Sequence, residues 1–246
     1  MRALGIVQAR LSSTRLPGKV LMTLGGRSVL ERVVGCARRY CDEVLVATST
    51  DPSDDAVSRE CERLDARCVR GSLSDVFSRF ALALSQPEHD QVEWFYRITA
   101  DCPLQSQQLG EALFSARAAE TDYLYFADDE LPRGLAPELV RRAAFAAIDA
   151  ARLGPDERQH VTLPLYRTGS QFRTRKLTVP SELAHPELRL TLDYPEDAAL
   201  FEALFAVDPD MTSEQAVRYL LLHPAVAALN RHRKTAVPAL VQETAS

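Results

Sequence analysis

What the chain lacks narrows its class first. It has only five cysteines in 246 residues, an odd number, and no C-x-x-C pair. That removes a disulfide framework and a cysteine zinc site. Cys36, Cys41, Cys61, Cys68 and Cys102 are therefore expected as free, mostly buried thiols. The five histidines show no H-x-x-x-H spacing, so a histidine zinc site is not expected either. No apolar run approaches the ~18 residues of a membrane span. The opening "MRALGIVQAR" meets an arginine before a signal-peptide core could finish, so a cytoplasmic location is expected. A basic excess is also missing: 29 Lys and Arg stand against 34 Asp and Glu, a formal charge of -5. That argues against a nucleic-acid or membrane-surface binder while allowing a local cationic pocket. Three common site motifs are absent. Gly18-Lys19 is followed by Val20, which fails the P-loop, and there is no G-x-G-x-x-G and no G-x-S-x-G.

What is present is an alternation. Short apolar runs ("LGIV", "EVLVAT", "ARCVR", "WFYRIT", "DYLYF") read as strands. Between them, residues 28–40, 54–64, 73–84 and 106–119 carry helical periodicity. Ser28 and Glu31 have capping-box spacing, as do Thr212 and Gln215. This βαβα order predicts an α/β fold, a doubly wound, mostly parallel sheet with helices on both faces. An alanine-rich helix is expected over 137–152, strands over 172–179 and 188–192, a helix opened by Pro195, and a last helical region over 213–230. The segment 128–190 is rich in proline and glycine and breaks the alternation. It reads as a small elaboration beside the sheet.

In such a sheet ligands bind beyond the carboxyl ends of the strands. After "LGIVQ" comes a loop carrying Arg10, Ser12, Ser13, Thr14, Arg15 and Lys19. After "WFYRIT" comes Asp101, and after "LRLTL" comes Asp193. Arginine and lysine neutralise phosphate oxygens. Small hydroxyl residues let backbone N–H groups approach an anion. Two neighbouring carboxylates need a cation between them, and Mg²⁺ favours one or two carboxylates plus phosphates. The set suits a nucleoside triphosphate with a divalent metal. Each piece also has a plainer explanation: "RLPGK" as an exposed turn, and Asp101 and Asp193 as caps of the elements that follow them. Lys19 is expected in an exposed loop.

Seven stretches, "QARLSSTRLPGKVL", "DEVLVATSTDPSDD", "VRGSLSDVFSRF", "RITADCPL", "PRGL", "DERQHVT" and "LRLTLDYPED", together resemble the spore-coat-polysaccharide-type cytidylyltransferases. These are homologues of the 3-deoxy-manno-octulosonate (KDO) cytidylyltransferase. The resemblance spans about residues 3 to 205. It implies the nucleotide-diphospho-sugar-transferase-like variant of the fold, with CTP as co-substrate and Mg²⁺ as cofactor. It implies that Arg15 and Lys19 hold the triphosphate and that Asp101 and Asp193 bind the metal. It implies that Gln8, Ala9 and Arg10 line the nucleotide pocket, with Ser12, Ser13, Thr14, Asp75, Arg79 and Thr99 beside it. It turns Arg133, Glu157 and His160 toward an acceptor. Asp75 and Arg79, four apart on a helix, could equally form a surface ion pair. Ala100 stands where the family pattern leads one to expect glycine.

The resulting expectation is one nucleotidyltransferase domain over 1–235. Residues 128–190 would be its acceptor-site and dimerisation elaboration, and 236–246 a loose tail. The activity expected is transfer of CMP from CTP to an acidic or modified sugar, by a homodimer, for surface polysaccharide or glycan synthesis. Two alternatives stay open: a metal-dependent glycosyltransferase using a nucleotide-sugar on the same fold, and a non-catalytic nucleotide-binding protein.

Overall fold

The computed structural model describes residues 3–233. The expected tail, 236–246, lies outside the described residues, as do the outermost residues of the 1–235 domain.

The first strand, β1 (Ala3–Gln8), is buried along almost its whole length. Its alternate residues serve the two faces: Leu4 and Ile6 join one core cluster, Ala3 and Val7 the other. A strand covered on both sides reads as a continuous apolar run, as this one does. Beyond β1 the cationic loop ends in a tight turn, Lys19–Leu21, and a two-residue-per-strand hairpin, β2 (Thr23–Leu24) and β3 (Arg27–Ser28). Helix α1 (Val29–Ala37) follows, its Ser28 hydroxyl accepting from Glu31 N as the capping spacing predicts. Then come β4 (Glu43–Ser49), α2 (Asp55–Arg63), β5 (Arg67–Gly71), α3 (Val76–Leu84), β6 (Trp94–Thr99) and α4 (Gln107–Ser115). The rest of the sheet is β7 (Tyr123–Tyr125), β8 (Glu138–Arg141) and β9 (Thr174–Lys176). Between β8 and β9 lie α5 (Arg142–Ala146), α6 (Pro155–Gln159) and α7 (Leu163–Tyr166). The C-terminal part is helical: α8 (Pro195–Val207), α9 (Ser213–Leu222) and α10 (Pro224–Ala227).

The seven strands run β5-β4-β1-β6-β8-β7-β9. β4, β5 and β6 join β1 in a parallel half-sheet, and β8 lies antiparallel between β6 and β7. Helices α1, α2, α4, α8 and α9 pack on one face, and α3, α5 and α7 on the other. The expected doubly wound architecture is present. The chain leaves β1 toward β4 on one side and returns to β6 on the other, so β1 is the switch point, where such sheets open a crevice.

Three local expectations are corrected. Residues 137–152 do not form one helix; Glu138–Arg141 is a strand, and the alanines fall in the short α5 after it. The gap between β6 and β7 offers backbone partners on both edges. Leu139 and Val140 are fully buried toward opposite faces, and this tertiary fit overrides alanine's helix preference. Residues 188–192 are extended but form no strand, held by an isolated bridge from Arg189 to Arg133 and by Leu192 N on Asp101 O at 2.8 Å. The last helical region breaks at His223–Pro224 into α9 and α10, because proline lacks the N–H a continuing helix needs.

Candidate nucleotide and metal site

The loop after β1 is tied down from beneath. Asp54, fully buried, accepts from Leu11 N at 2.7 Å with one oxygen and from the Ser49 hydroxyl with the other. Ser13 closes the next turn by accepting from Leu16 N at 3.3 Å. Gly18 has φ +73°, a left-handed conformation that glycine adopts without strain, and Gly18 N reaches back to Leu11 O at 3.1 Å. The effect is to turn Lys19 inward. The expectation of an exposed lysine is corrected: Lys19 is only 7% exposed.

Its ammonium lies between the two carboxylates. Lys19 Nζ is 2.7 Å from Asp101 Oδ2 and 2.8 Å from Asp193 Oδ1. Arg15 reaches the same Asp193 oxygen at 2.6 Å, and Arg189 takes the other at 2.8 Å. Burial alone would lower the Lys19 pKa; the two aspartates more than reverse this and raise it. Burial likewise pushes Asp101 up, and Lys19 carries it below the ordinary carboxylate value. Three cations therefore serve Asp101, Asp193 and the neighbouring Asp197, from segments far apart in sequence.

Neither aspartate is a helix cap. Asp101 lies in the turn after β6, and α4 is capped by Ser106. At α8, Asp197 closes the first turn, accepting from Asp193 N at 2.8 Å and Tyr194 N at 2.9 Å. Asp197 is fully buried and also receives Arg189 Nε at 3.0 Å and Asn230 Nδ2 at 2.8 Å. This network fixes the direction of Asp193. Gly134 matters to the same segment, since a Cβ there would lie 2.4 Å from Leu190 O. Ala100 is accommodated: it is buried, its N–H bonds Gln8 O at 3.1 Å, and it is not among the residues with positive φ.

The remaining expected positions divide. Gln8 ends β1, its amide oxygen receiving Arg97 Nε at 3.2 Å. Arg79, 1% exposed, donates to Ala9 O and Ala47 O beneath the ends of β1 and β4. Burial, then the nearby Arg10, push its pKa down to about 10. Asp75 does not pair with Arg79; it caps α3 through Ser78 N and pairs with Arg158. Ser12 and Thr14 are exposed on the loop, and the Thr99 hydroxyl contacts Cys102 Sγ. Glu157 is used within its own region, accepting from Gly154 N at 2.9 Å and pairing with Arg167 at 2.6 Å.

Arg133 and His160 belong to a second cluster, whose centre the sequence reading missed. Arg97 pairs with Glu138 at 2.7 Å across the β6–β8 edge. Glu138 and Arg97 also bear on Tyr123 and Tyr166. Burial, followed by the charge of Arg97, lowers the His160 pKa, and Arg133 pairs with Asp128 at 2.8 Å. The available signal was an arginine inside "WFYRIT". Asp54, Arg189 and Asp197 were missed as well; their capping and ion-pair roles need the tertiary fold to be seen.

A cationic loop at the β1 switch point, in direct contact with two convergent carboxylates, is the arrangement an enzyme of the nucleotidyltransferase class needs. The chain belongs to the cytidylyltransferase family, whose model matches residues 4–222. It is 31% identical over 235 residues to the spore coat polysaccharide biosynthesis protein SpsF of Bacillus subtilis, covering 90% of this chain and 95% of that one. Among solved structures it resembles a cytidylyltransferase from Leptospira borgpetersenii, with TM-score 0.80, 20% identity, and 96% and 100% of the two chains covered. It also resembles CMP:2-keto-3-deoxy-manno-octonic acid synthetase complexed with CTP, with TM-score 0.62, 16% identity, and 85% and 100% covered. At such identities the last two are likenesses of fold.

Proposed function

We propose that the protein transfers CMP from CTP to an acidic or modified sugar, releasing pyrophosphate, in cytoplasmic synthesis of a surface polysaccharide or related glycan. The observation that carries this reading is the single cation position shared by Asp101 and Asp193, filled by Lys19 Nζ at 2.7 and 2.8 Å. The names of the Bacillus subtilis relative and of the CTP-bound synthetase supply the pathway and nucleotide that the reading draws on.

Two carboxylate oxygens converging on one cation suit Mg²⁺, which takes one or two carboxylates plus phosphates. Asp101 and Asp193 would hold it, and when bound it would supply charge neutralisation at the phosphates. The chain's own residues do the rest. Arg15 and Lys19 turn from the carboxylates to the β- and γ-phosphates. Arg189 stays on Asp193 and keeps it aimed. The acceptor oxygen, releasing its proton to water where it is a hydroxyl, forms a bond to the α-phosphorus, the bond from that phosphorus to the bridging oxygen breaks, and pyrophosphate leaves with its added charge facing Arg15 and Lys19. The contribution is positioning and electrostatics, with no covalent protein intermediate. Gln8, Ala9 and Arg10, backed by Arg79, line the nucleotide side. Arg133 and His160, with Arg97, line the acceptor side. Residues 128–190 form the acceptor-side elaboration of one domain and its homodimer contact, a role that the outer edge strand β9, exposed along its length, would suit.

Pyrophosphate release from each of the four nucleoside triphosphates, with Mg²⁺ and a panel of acidic and deoxy sugars, tests the reading. CTP-dependent release with one sugar class is expected. Release of a nucleoside diphosphate from a nucleotide-sugar would favour a glycosyltransferase.

A further inference from the structure

Away from that site, a cavity of about 270 Å³ opens beside α1, walled by Pro103 and Leu104 and by residues 209–211. Four arginines line it: Arg27, Arg32, Arg38 and Arg39. Arg32 is 7% exposed and donates only to carbonyls, those of Leu24, Gly25 and Pro209, at 2.6 to 3.0 Å. Arg38 donates to Leu64 O and Asp65 O. The Arg39 side chain makes no hydrogen bond or ion pair among the described residues. Arg27 alone has carboxylate partners, Asp210 at 2.6 Å and Glu31 at 3.9 Å. Glu31 and Asp210 share the wall and act on Arg32 through their charge, but among the described residues no carboxylate forms an ion pair with Arg32, Arg38 or Arg39.

Its floor gives a second, independent observation. Gly35 stands inside α1, exposed, and a Cβ built on it meets nothing within 4 Å. Glycine weakens a helix interior relative to alanine, and nothing in the protein approaches closely enough to require it. A bare helix backbone facing an arginine-lined hollow is what a ligand lying against the helix needs. The C-terminal dipole of α1 accounts for a cation at 38 or 39. The buried Arg32 is held by its carbonyl partners and by the Phe205 ring, whose centroid lies 3.4 Å from its Cζ; nothing in the protein accounts for Gly35.

We propose that this cavity is a second anion site, taking a small phosphate-bearing molecule with its oxyanion among Arg32, Arg38 and Arg39 and its body over Gly35. Guanidinium groups match phosphate oxygens in pairs, and the volume suits a small metabolite. The site is joined to the catalytic crevice at both supports. Arg32 grips Leu24 and Gly25, in the hairpin that follows Lys19–Leu21. Cys36 Sγ contacts Pro103 O at 3.6 Å, two residues after Asp101. An occupant would stiffen the loop holding Lys19 and the turn holding Asp101 together.

Calorimetric titration of the full chain with pyrophosphate and, in parallel, with a hexose phosphate, both without divalent metal, tests this. The variants are Lys19→Ala, which disables the crevice, and Arg39→Gln and Gly35→Leu in the Lys19→Ala background. The expected result is saturable binding that survives Lys19→Ala and weakens at least tenfold on adding either second change, with melting temperature held or raised by Gly35→Leu. The tighter probe identifies the source of the anion. No binding left in Lys19→Ala, or residual binding indifferent to Arg39 and Gly35, overturns the proposal. So does an Arg39→Gln variant that melts earlier yet binds unchanged, since that is a dipole role alone.

Discussion

The two halves of the crevice are built differently. On the side proposed for the nucleotide, the parallel strands β4, β1 and β6 deliver a loop anchored by Asp54 and a carboxylate pair held by Lys19, Arg15 and Arg189. Asp101 and Asp193 share one ammonium, and Asp197 braces Asp193 from behind. On the side proposed for the acceptor, short elements of mixed direction bring Arg97, Glu138, Arg133 and His160 together. The outer pair, Arg133–Asp128, sits near solvent, its side chains 35% and 70% exposed, while Arg97–Glu138 is about as buried as Lys19–Asp101, at 13% and 25%. A triphosphate presents the same charges in every turnover, so a rigid, fully compensated site suits it. On the proposed reading, a looser acceptor side would allow the sugar to differ without rebuilding the phosphate chemistry.

The contrast breaks most sharply at the carboxylates. Asp101→Asn and Asp193→Asn keep the shape and remove a charge. Each is expected to cut pyrophosphate release by about 10²–10³-fold or more, with circular dichroism unchanged; an active Asp193→Asn enzyme would refute the nucleotide-side assignment. Lys19→Ala comes next. It is expected to weaken CTP by roughly 10- to 150-fold, and CMP much less, as loss of a charged hydrogen bond of about 1.5–3 kcal/mol implies. Because Lys19 is buried between two carboxylates, this variant is also expected to melt earlier, by about 1–3 kcal/mol. Equal losses for CTP and CMP by calorimetry would remove Lys19 from the β- and γ-phosphates.

Arg97→Gln sharpens the other half. It leaves Glu138 without its charge partner at 2.7 Å. The acceptor KM is expected to rise about tenfold, on the order of 1.4 kcal/mol, while CTP affinity stays level. A fall in CTP affinity with an unchanged acceptor KM would erase the division between the halves. The smallest effect is titrational. His160 has a lowered pKa in the fold, first from burial and then from Arg97. The neutral form is thus favoured on folding, so its contribution to stability is present above the ordinary value of 6.5 and is lost as pH falls through the lower folded value. Denaturant midpoints in that window are expected to drop less in His160→Gln than in the parent; identical slopes would place His160 outside the Arg97 cluster.

Legibility in sequence followed the same division. The strands of the parallel half announced themselves because both faces are buried, which leaves continuous apolar runs such as "EVLVAT". Asp101 could be read because it comes just after such a run, β6, and Asp193 because it follows the alternating "LRLTL", although that segment forms no strand. Beyond reach were features made only by folding. β8 looked helical because its alanines follow the strand, and its pairing partners lie in β6 and β7. Glu138 meets Arg97 across 41 residues, and no local pattern links them. Asp54 and Asp197 resemble ordinary caps, and only the fold shows one holding the cationic loop and the other aiming Asp193. Lys19 was legible as a residue and wrong as an environment, because burial depends on where Gly18 turns the chain.

On the proposed reading, Lys19, Asp101 and Asp193 together form the triphosphate and metal site. A crystal structure of the chain with CTP and Mg²⁺ tests it most directly. The account predicts carboxylate oxygens of Asp101 and Asp193 at about 2.0–2.1 Å from one ion, and Lys19 Nζ moved from the carboxylates onto the β- or γ-phosphate. Nucleotide bound with Lys19 still between the two aspartates, and the ion held elsewhere, would contradict it.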